Sequence, residues 1–262
     1  LSLDEQLGRA REVGVTAFIS SACELPDFDP MIELARLHKG VRVALAIHPN
    51  DAALHAGCAD PSPDGLVPIV REHHVPLVEA LVEVEKRLSD PMVVAVGESG
   101  LDYFRTADPG REAQKESFRA HIDMTQRAGL PLQIHDRDAH EDTLAILDER
   151  ASEDQRIVFH CYSGDASMAQ RLAERGWYAS FAGPITYPAN SDLRAALAVL
   201  PRELVLVETD APYLTPVPWR GCPNASYVMA HTVRFIADQW GVSEAVACDQ
   251  LRANTEAVYG TW

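Results

Sequence analysis

The chain alternates short apolar segments with longer segments in which apolar residues recur every three to four positions. The short segments are rich in β-branched and aromatic residues, which is typical of strands buried on both faces. They occupy residues 15–22, 41–49, 92–100, 130–136, 156–163, 177–183 and 204–212. The amphipathic segments predict helices, several closed by glycine, at residues 31–40, 76–88, 111–129, 141–151, 167–176 and 190–200. Repeated strand and helix units predict a parallel sheet in an α/β fold.

Two architectures contain such a sheet, an open doubly wound sheet and a closed (β/α)8 barrel. No G-x-G-x-x-G or G-x-x-x-x-G-K-[ST] loop follows a strand, which favours the TIM barrel. The pattern gives seven strands where a barrel needs eight. Residues 1–14 predict a helix that ends at Gly14, so the first unit lacks its strand. We expect residues 1–262 to form one TIM barrel domain whose first strand is missing from this chain.

The segment from Asn50 to Val75 is rich in proline and is typical of a surface insertion. Its histidines and those of the predicted helices are interpreted as surface residues. They are His55, His73, His74, His121, His140 and His231.

The charge balance narrows the classes of function. Lysine and arginine total 23 against 39 aspartates and glutamates, a formal charge of −16 that argues against tight nonspecific binding to duplex DNA. No stretch reaches the roughly 18 apolar residues of a membrane span, and no signal pattern opens the chain. The five cysteines contain no C-x-x-C pair. We expect a cytoplasmic protein with reduced thiols, no membrane association and no obligate protein partner.

Four strand segments carry a residue that could bind a metal ion at or near their C-terminal ends: Glu98, His135, His160 and Asp210. In a βα barrel these strand ends form the rim of the active site, so the four side chains are expected to meet. A single such histidine is more often a core or surface group, but the four together favour a metal site. The donor set suits Zn²⁺, Mn²⁺ or Mg²⁺, and a shared carboxylate could bridge two ions. Such a site would activate water.

Three further residues are candidates for supporting roles. His48 ends the second strand and is interpreted either as a hydrogen-bond donor to a substrate oxygen or as a loop histidine. Arg137 lies two residues beyond His135, where it would bind an anion or form an ion pair with a nearby acid. Glu208 is expected on the same strand face as Asp210, where it would orient a metal ligand or pair with a basic side chain.

Longer motifs connect these residues to a known family. The chain contains, in order, VGESGLDYFR, IHDRDAHEDTL, VFHCYSGD, SFAGPITY and VETDAPYLTPVPWRG. Together they resemble the TatD-type metal-dependent deoxyribonucleases, which are amidohydrolase-like TIM barrels. The resemblance implies two divalent metal ions and hydrolysis of phosphodiester bonds, often as a 3′-to-5′ exonuclease on single-stranded DNA. It further implies that Glu98 bridges the ions, that His135 and His160 bind one, and that Asp210 binds the other and accepts a proton from water.

The sequence departs from the family pattern in two places. The family completes its second metal with an H-x-H pair on the first strand, and this chain has no H-x-H. The missing pair and the missing strand both predict a segment upstream of Leu1. Near Asn224, PNASY stands where the family has Asn-Glu-Pro. Two alternatives stay open: a hydrolase of another ester or amide, such as a deacylase of charged tRNA, and a catalytically inactive barrel that lacks the H-x-H ligands.

Overall fold

The computed structural model describes residues 1–262 and contains seven strands and ten α-helices. The strands are β1 (Phe18–Ala22), β2 (Val41–Leu45), β3 (Val93–Asp102), β4 (Leu132–Arg137), β5 (Ile157–Phe159), β6 (Tyr178–Phe181) and β7 (Val205–Val207). The helices are α1 (Leu3–Glu12), α2 (Phe28–Leu37), α3 (Pro49–His55), α4 (Leu77–Glu85), α5 (Asp108–Ala128), α6 (His140–Arg150), α7 (Ala166–Arg175), α8 (Ser191–Val199), α9 (Met229–Trp240) and α10 (Glu244–Tyr259). None of these helices is both long and apolar enough to cross a lipid bilayer.

The chain divides into two compact units. Residues 18–158 form what we call the central unit, and residues 1–17 together with 159–262 form the split unit. The prediction of a single domain concerns folding behaviour, which this division does not test. Each unit is therefore described separately.

The central unit is built on parallel strands that pair in chain order. Strand β1 pairs with β2, β2 with β3, and β3 with β4. The backbone N–H of Leu132 donates to the carbonyl of Arg156, 2.9 Å away, which brings the start of β5 to β4. The parallel pairing expected from the alternating strand and helix pattern is confirmed.

The apolar strand segments form the core of this unit because both faces are covered. All residues of β2 from Val43 onward are fully buried, and so is Ile47 after it. Helix α5 covers the sheet with Phe118 and Ile122, which are also fully buried. Burial of each such large side chain contributes about 1.5–3 kcal/mol, so the strands are held mainly by the helices that cover them.

The split unit contains β6 and β7, which are also parallel, with Phe181 opposite Val207. Helix α10 is attached to β7 by Asn254, whose side-chain amide donates to the carbonyls of Arg202 and Val205 at 2.7 Å each. Because Asn254 is buried, these bonds satisfy an amide that would otherwise lose its water partners.

Local signals in the sequence set the helix ends. Ser2 caps α1 and forms a capping box with Glu5. Helices α5, α7 and α9 end at Gly129, Gly176 and Gly241, all with positive φ. The six amphipathic segments and the segment at residues 1–14 are all confirmed as helices, whereas α3, α9 and α10 were not predicted.

The predicted strand at 204–212 is wrong beyond Val207, where β7 ends. Asp210 has a φ of 55°, a left-handed conformation in which a strand cannot continue. Glu208 and Asp210 therefore lie in the loop after the strand, and the expectation that they share one strand face is wrong. The segment at 156–163 is shortened in the same way, because Cys161 has a φ of 41° and β5 ends at Phe159.

The interpretation of six histidines as surface residues is wrong for His55, His74 and His121, whose rings are buried. His121 is fully buried because both of its ring nitrogens have backbone partners. Its Nε2 accepts from the N–H of Ile47 at 3.1 Å, and its Nδ1 donates to the carbonyl of Ser117 at 2.7 Å. Burial lowers the pKa of His121 to about 4, so the ring is neutral at physiological pH.

Candidate metal centre

Three residues of the central unit form a group that we call the central cluster: His48 shortly after β2, Glu98 within β3 and His135 within β4. Each offers one ligand atom, and these atoms all lie within 4.8 Å of one another. Two imidazoles and a carboxylate are donors that Zn²⁺ and Mn²⁺ accept. The donor set therefore fits a divalent metal ion.

Glu98 is placed by an irregularity in the sheet. The pairing of β3 with β4 changes register between Val96 and Ser99, so Glu98 lies in a bulge. A bulge turns a side chain out of the regular strand alternation and is common beside active sites. Gly97 allows the strands to approach, because a Cβ there would lie 2.4 Å from the Cβ of Gln133.

His135 is placed by a close approach of two backbones. Gly100 lies opposite His135 in the sheet and has a φ of 144°, a conformation that side chains disfavour. A Cβ at Gly100 would lie 2.1 Å from the carbonyl oxygen of His135. Only glycine therefore fits beside the histidine backbone.

The His135 ring is oriented by Asp102, the last residue of β3. The Nε2 of His135 lies 3.1 Å from Oδ2 of Asp102, whose other oxygen accepts the N–H of Arg105 at 2.7 Å. Burial of Asp102 opposes its ionisation, but the hydrogen bond and charge of His135 outweigh it and lower the pKa of the carboxyl. A ring that donates from Nε2 has its lone pair on Nδ1, which a metal ion requires. The sequence analysis missed Asp102.

The prediction that His48 ends the second strand is wrong, because β2 ends at Leu45, and His48 instead caps α3 through its ring. Its Nδ1 accepts the N–H of Asn50 at 3.2 Å, so the neutral ring carries its hydrogen on Nε2. The ring lies edge-on to His135, with centroids 4.5 Å apart. His48 is therefore close enough to bind metal, but its tautomer suits a hydrogen-bond donor, and the predicted contact with substrate stays a prediction.

Arg137 is exposed at the end of β4. Its guanidinium stacks on the ring of Phe104, 3.9 Å from the ring centroid. The predicted contact of Arg137 with an anion stays a prediction. Stacking fixes the guanidinium plane while its edge still offers N–H donors.

The split unit contains the predicted residues His160 and Glu208. His160 directly follows β5, and its Nδ1 lies 3.0 Å from Oε1 of Glu208. Burial of Glu208 opposes its ionisation, but the charge and hydrogen bond of His160, with a hydrogen bond from Ser180, lower the pKa of the carboxyl. A neutral ring that donates to this carboxylate from Nδ1 has its lone pair on Nε2.

Asp210 lies in the loop after β7, which Asn224 clamps. The side-chain amide of Asn224 donates to the carbonyl of Thr209 at 2.8 Å and to that of Tyr213 at 2.7 Å. The N–H of Tyr213 donates to the carbonyl of Asp210 at 2.9 Å. The sequence analysis noted Asn224 only as the site of a departure, and the structure gives it a positioning role.

The structure thus brings Glu98, His135 and His48 together in the central unit. It places His160 beside Glu208 in the split unit. The roles assigned to these residues, to Asp210 and to Arg137 stay predictions.

The chain is similar to known proteins along nearly its whole length. The family model for TatD-related DNases matches residues 2–260. A Mycobacterium tuberculosis protein described as an uncharacterized metal-dependent hydrolase, TatD, is 36% identical over 237 residues, which cover 88% of this chain and 80% of that protein. A Cronobacter turicensis protein named 3′-5′ ssDNA/RNA exonuclease TatD is 30% identical over 214 residues, covering 81% of this chain and 73% of its own length.

Among solved structures, the TatD homolog YjjV from Escherichia coli superimposes with a TM-score of 0.83. It is 26% identical, and the match covers 99% of this chain and 92% of that one. These likenesses confirm the resemblance drawn from the motifs. They also confirm the predicted parallel α/β barrel fold, with seven strands in this chain.

Proposed function

This chain belongs to the TatD-related DNase family of metal-dependent hydrolases, and from that premise we propose that it releases nucleotides from the 3′ ends of single-stranded DNA in the cytoplasm. The observation that supports this most is the pairing of each predicted histidine ligand with a carboxylate. His135 has Asp102 at 3.1 Å, and His160 has Glu208 at 3.0 Å. Such pairs are the usual support of metal-binding imidazoles.

The proposed cofactors are two divalent ions, Mg²⁺, Mn²⁺ or Zn²⁺. Glu98, His135, His160 and Asp210 would hold them from this chain. When bound, such ions polarise a phosphoryl oxygen and lower the pKa of a water molecule.

Asp210 is the proposed general base. Its carboxylate would accept the proton of the attacking water, a role that contributes about 10²–10⁴-fold to a rate. The clamp by Asn224 on the backbone of Thr209 and Tyr213 would hold the carboxylate in place during the transfer. Position matters because small displacements of a catalytic group lower the rate steeply.

His48 and Arg137 are the proposed phosphate contacts. The Nε2 hydrogen of His48, fixed by the bond from Asn50 to Nδ1, would donate to a nonbridging oxygen. The stacked guanidinium of Arg137 would pair with the same phosphate or its neighbour.

The formal charge of −16 supports a single-stranded substrate. A rigid duplex would bring many phosphates near an acidic surface, whereas the end of a flexible strand brings few. The cations of the site would offset the charge locally.

The test is nucleotide release from a 3′-labelled single-stranded DNA by the full-length protein in Mg²⁺ or Mn²⁺. We expect release by the parent and at least about 10²-fold slower release by Asp210→Asn. Asp138→Asn, at an exposed acid, is the matched control and should behave as the parent.

No release by a metal-loaded parent would contradict the nuclease proposal and favour another ester or amide substrate, such as charged tRNA. Equal release by parent and Asp210→Asn would contradict the assignment of Asp210 as the base.

A further inference from the structure

A second group of histidines and acids lies in the central unit, on the segment predicted to be a surface insertion. Asp51, His73 and His74 each offer a ligand atom, and these atoms lie within 4.8 Å of one another. Glu24, which follows β1, places its Oε2 3.4 Å from Nε2 of His73. We call these four residues the loop cluster, and none of them has a part in the proposed hydrolysis.

His74 orients the carboxylate of Asp51. Its Nδ1 accepts the N–H of Arg71 at 2.8 Å, so the neutral ring carries its hydrogen on Nε2. That nitrogen lies 3.1 Å from Oδ1 of Asp51, and the His74 side chain is only 2% exposed. The arrangement matches the buried hydrogen-bond partner that commonly stands behind a metal-binding carboxylate.

His73 offers the lone pair that this site needs. Its Nε2 is buried and makes no hydrogen bond, although Glu24 is near. An unsatisfied buried polar atom costs about 1–3 kcal/mol, so it is rarely kept without a partner. A cation between this nitrogen and the two carboxylates would satisfy all three groups.

We propose that Glu24, Asp51 and His73 bind one divalent transition-metal ion of the Zn²⁺ class, with His74 positioning Asp51. An imidazole ligand suits Zn²⁺ or Co²⁺, whereas Mg²⁺ prefers oxygen ligands and retains its waters. The site shares no ligand with the central cluster.

The three ligands come from separate parts of the chain, so the ion ties those parts together. Glu24 follows β1, Asp51 is in α3, and His73 ends the long connection to α4. This connection contributes little to the core, because four of its apolar side chains are more than half exposed: Leu66, Val67, Ile69 and Val70. A metal ion therefore supplies the anchor that apolar burial does not.

The test counts metal ions and needs no activity. Full-length protein is stripped with a chelator, reloaded with Zn²⁺ or Co²⁺ and analysed for metal content. We expect the parent to retain one ion more than His73→Gln and one more than Glu24→Gln. His38→Gln, which alters a histidine outside the cluster, should match the parent, and circular dichroism verifies that all variants are folded.

Trypsin provides a second measurement, because the exposed Arg71 lies two residues before His73. Zn²⁺ should slow cleavage after Arg71 by about tenfold in the parent and not in His73→Gln. Trypsin cleaves the connection when it unfolds locally, and a metal ion bound to the folded connection makes local unfolding rarer. Equal metal content in the parent and both ligand variants, or cleavage that Zn²⁺ does not slow, would overturn the proposal.

Discussion

His135 in the central unit and His160 in the split unit each have a carboxylate beside one ring nitrogen, but the nitrogen differs between the two. His135 is held through Nε2, 3.1 Å from Asp102, and His160 through Nδ1, 3.0 Å from Glu208. The lone pair is thus expected on Nδ1 of His135 and on Nε2 of His160. The position of the carboxylate partner therefore determines which ring nitrogen of a histidine keeps the lone pair that a metal ion needs.

Removal of the His135 or the His160 ring should lower the rate of hydrolysis more than the other changes considered below. We expect His135→Ala and His160→Ala each to lower kcat/KM for a phosphodiester by about 10³-fold, because each would delete a proposed metal ligand. Steady-state kinetics with parallel metal analysis measures this. A variant that keeps both its metal content and its rate would remove that histidine from the ligand set.

A fall in pH should destabilise the central unit before it destabilises the split unit. The pKa of His121 is lowered to about 4 in the folded chain, so the unfolded chain binds more protons as the pH falls below about 6.5. The central unit should then lose up to about 3 kcal/mol of stability between pH 6.5 and 4. The pKa of Glu208 is lowered below 4.5, so its contribution to the split unit is complete above that value and is lost only at lower pH.

Hydrogen exchange monitored by mass spectrometry at pH 7 and pH 5 tests this difference, after correction for the intrinsic exchange rates. Peptides of the central unit around α5 should lose protection at pH 5 before those around β7. Equal loss in both would contradict the role given to His121.

Neutralising the carboxylate of Asp102 or of Glu208 should weaken metal binding, equally in the two cases and less than removal of a histidine ring. Asp102→Asn and Glu208→Gln keep the size of the side chain but remove the charge that orients the ring. We expect each to weaken metal binding by about 10–100-fold. Metal titration checks this, with Asp138→Asn as the control. If only one variant were impaired, the likeness between the two histidines would fail.

Arg137 should have the smallest effect. We expect Arg137→Ala to raise KM by about tenfold with little change in kcat, since the role proposed for the guanidinium is to bind the substrate phosphate and not to act on the attacking water. Arg137→Lys should recover part of the loss, because it keeps the charge and loses the flat stack on Phe104. A fall in kcat alone would contradict this assignment.

The sequence predicted the strands and the residues at their ends, because an apolar run closed by a polar residue is a local pattern. Glu98, His135 and His160 were selected as candidate metal ligands in this way, and that role stays a prediction. Asp102 was missed because its role depends on the register of β3 against β4, which no local pattern reveals. The buried state of His121 was missed for the same reason, since its partner Ile47 lies 74 residues away.

Other features depend on loop conformation. The positive φ of Asp210 ended a strand that the apolar run predicted to continue. The loop cluster was hidden because prolines and polar residues around His73 are typical of an exposed insertion.

The most direct test of metal-dependent hydrolysis at Glu98, His135, His160 and Asp210 uses a small phosphodiester, bis(p-nitrophenyl) phosphate. With this substrate the result does not depend on DNA recognition. Full-length protein is stripped with EDTA and reloaded with Mn²⁺, and product is followed by absorbance. We predict no hydrolysis after stripping, full recovery with Mn²⁺ in the parent, and no recovery in Asp210→Asn. Hydrolysis that survives EDTA, or recovery in Asp210→Asn equal to that of the parent, would contradict the account.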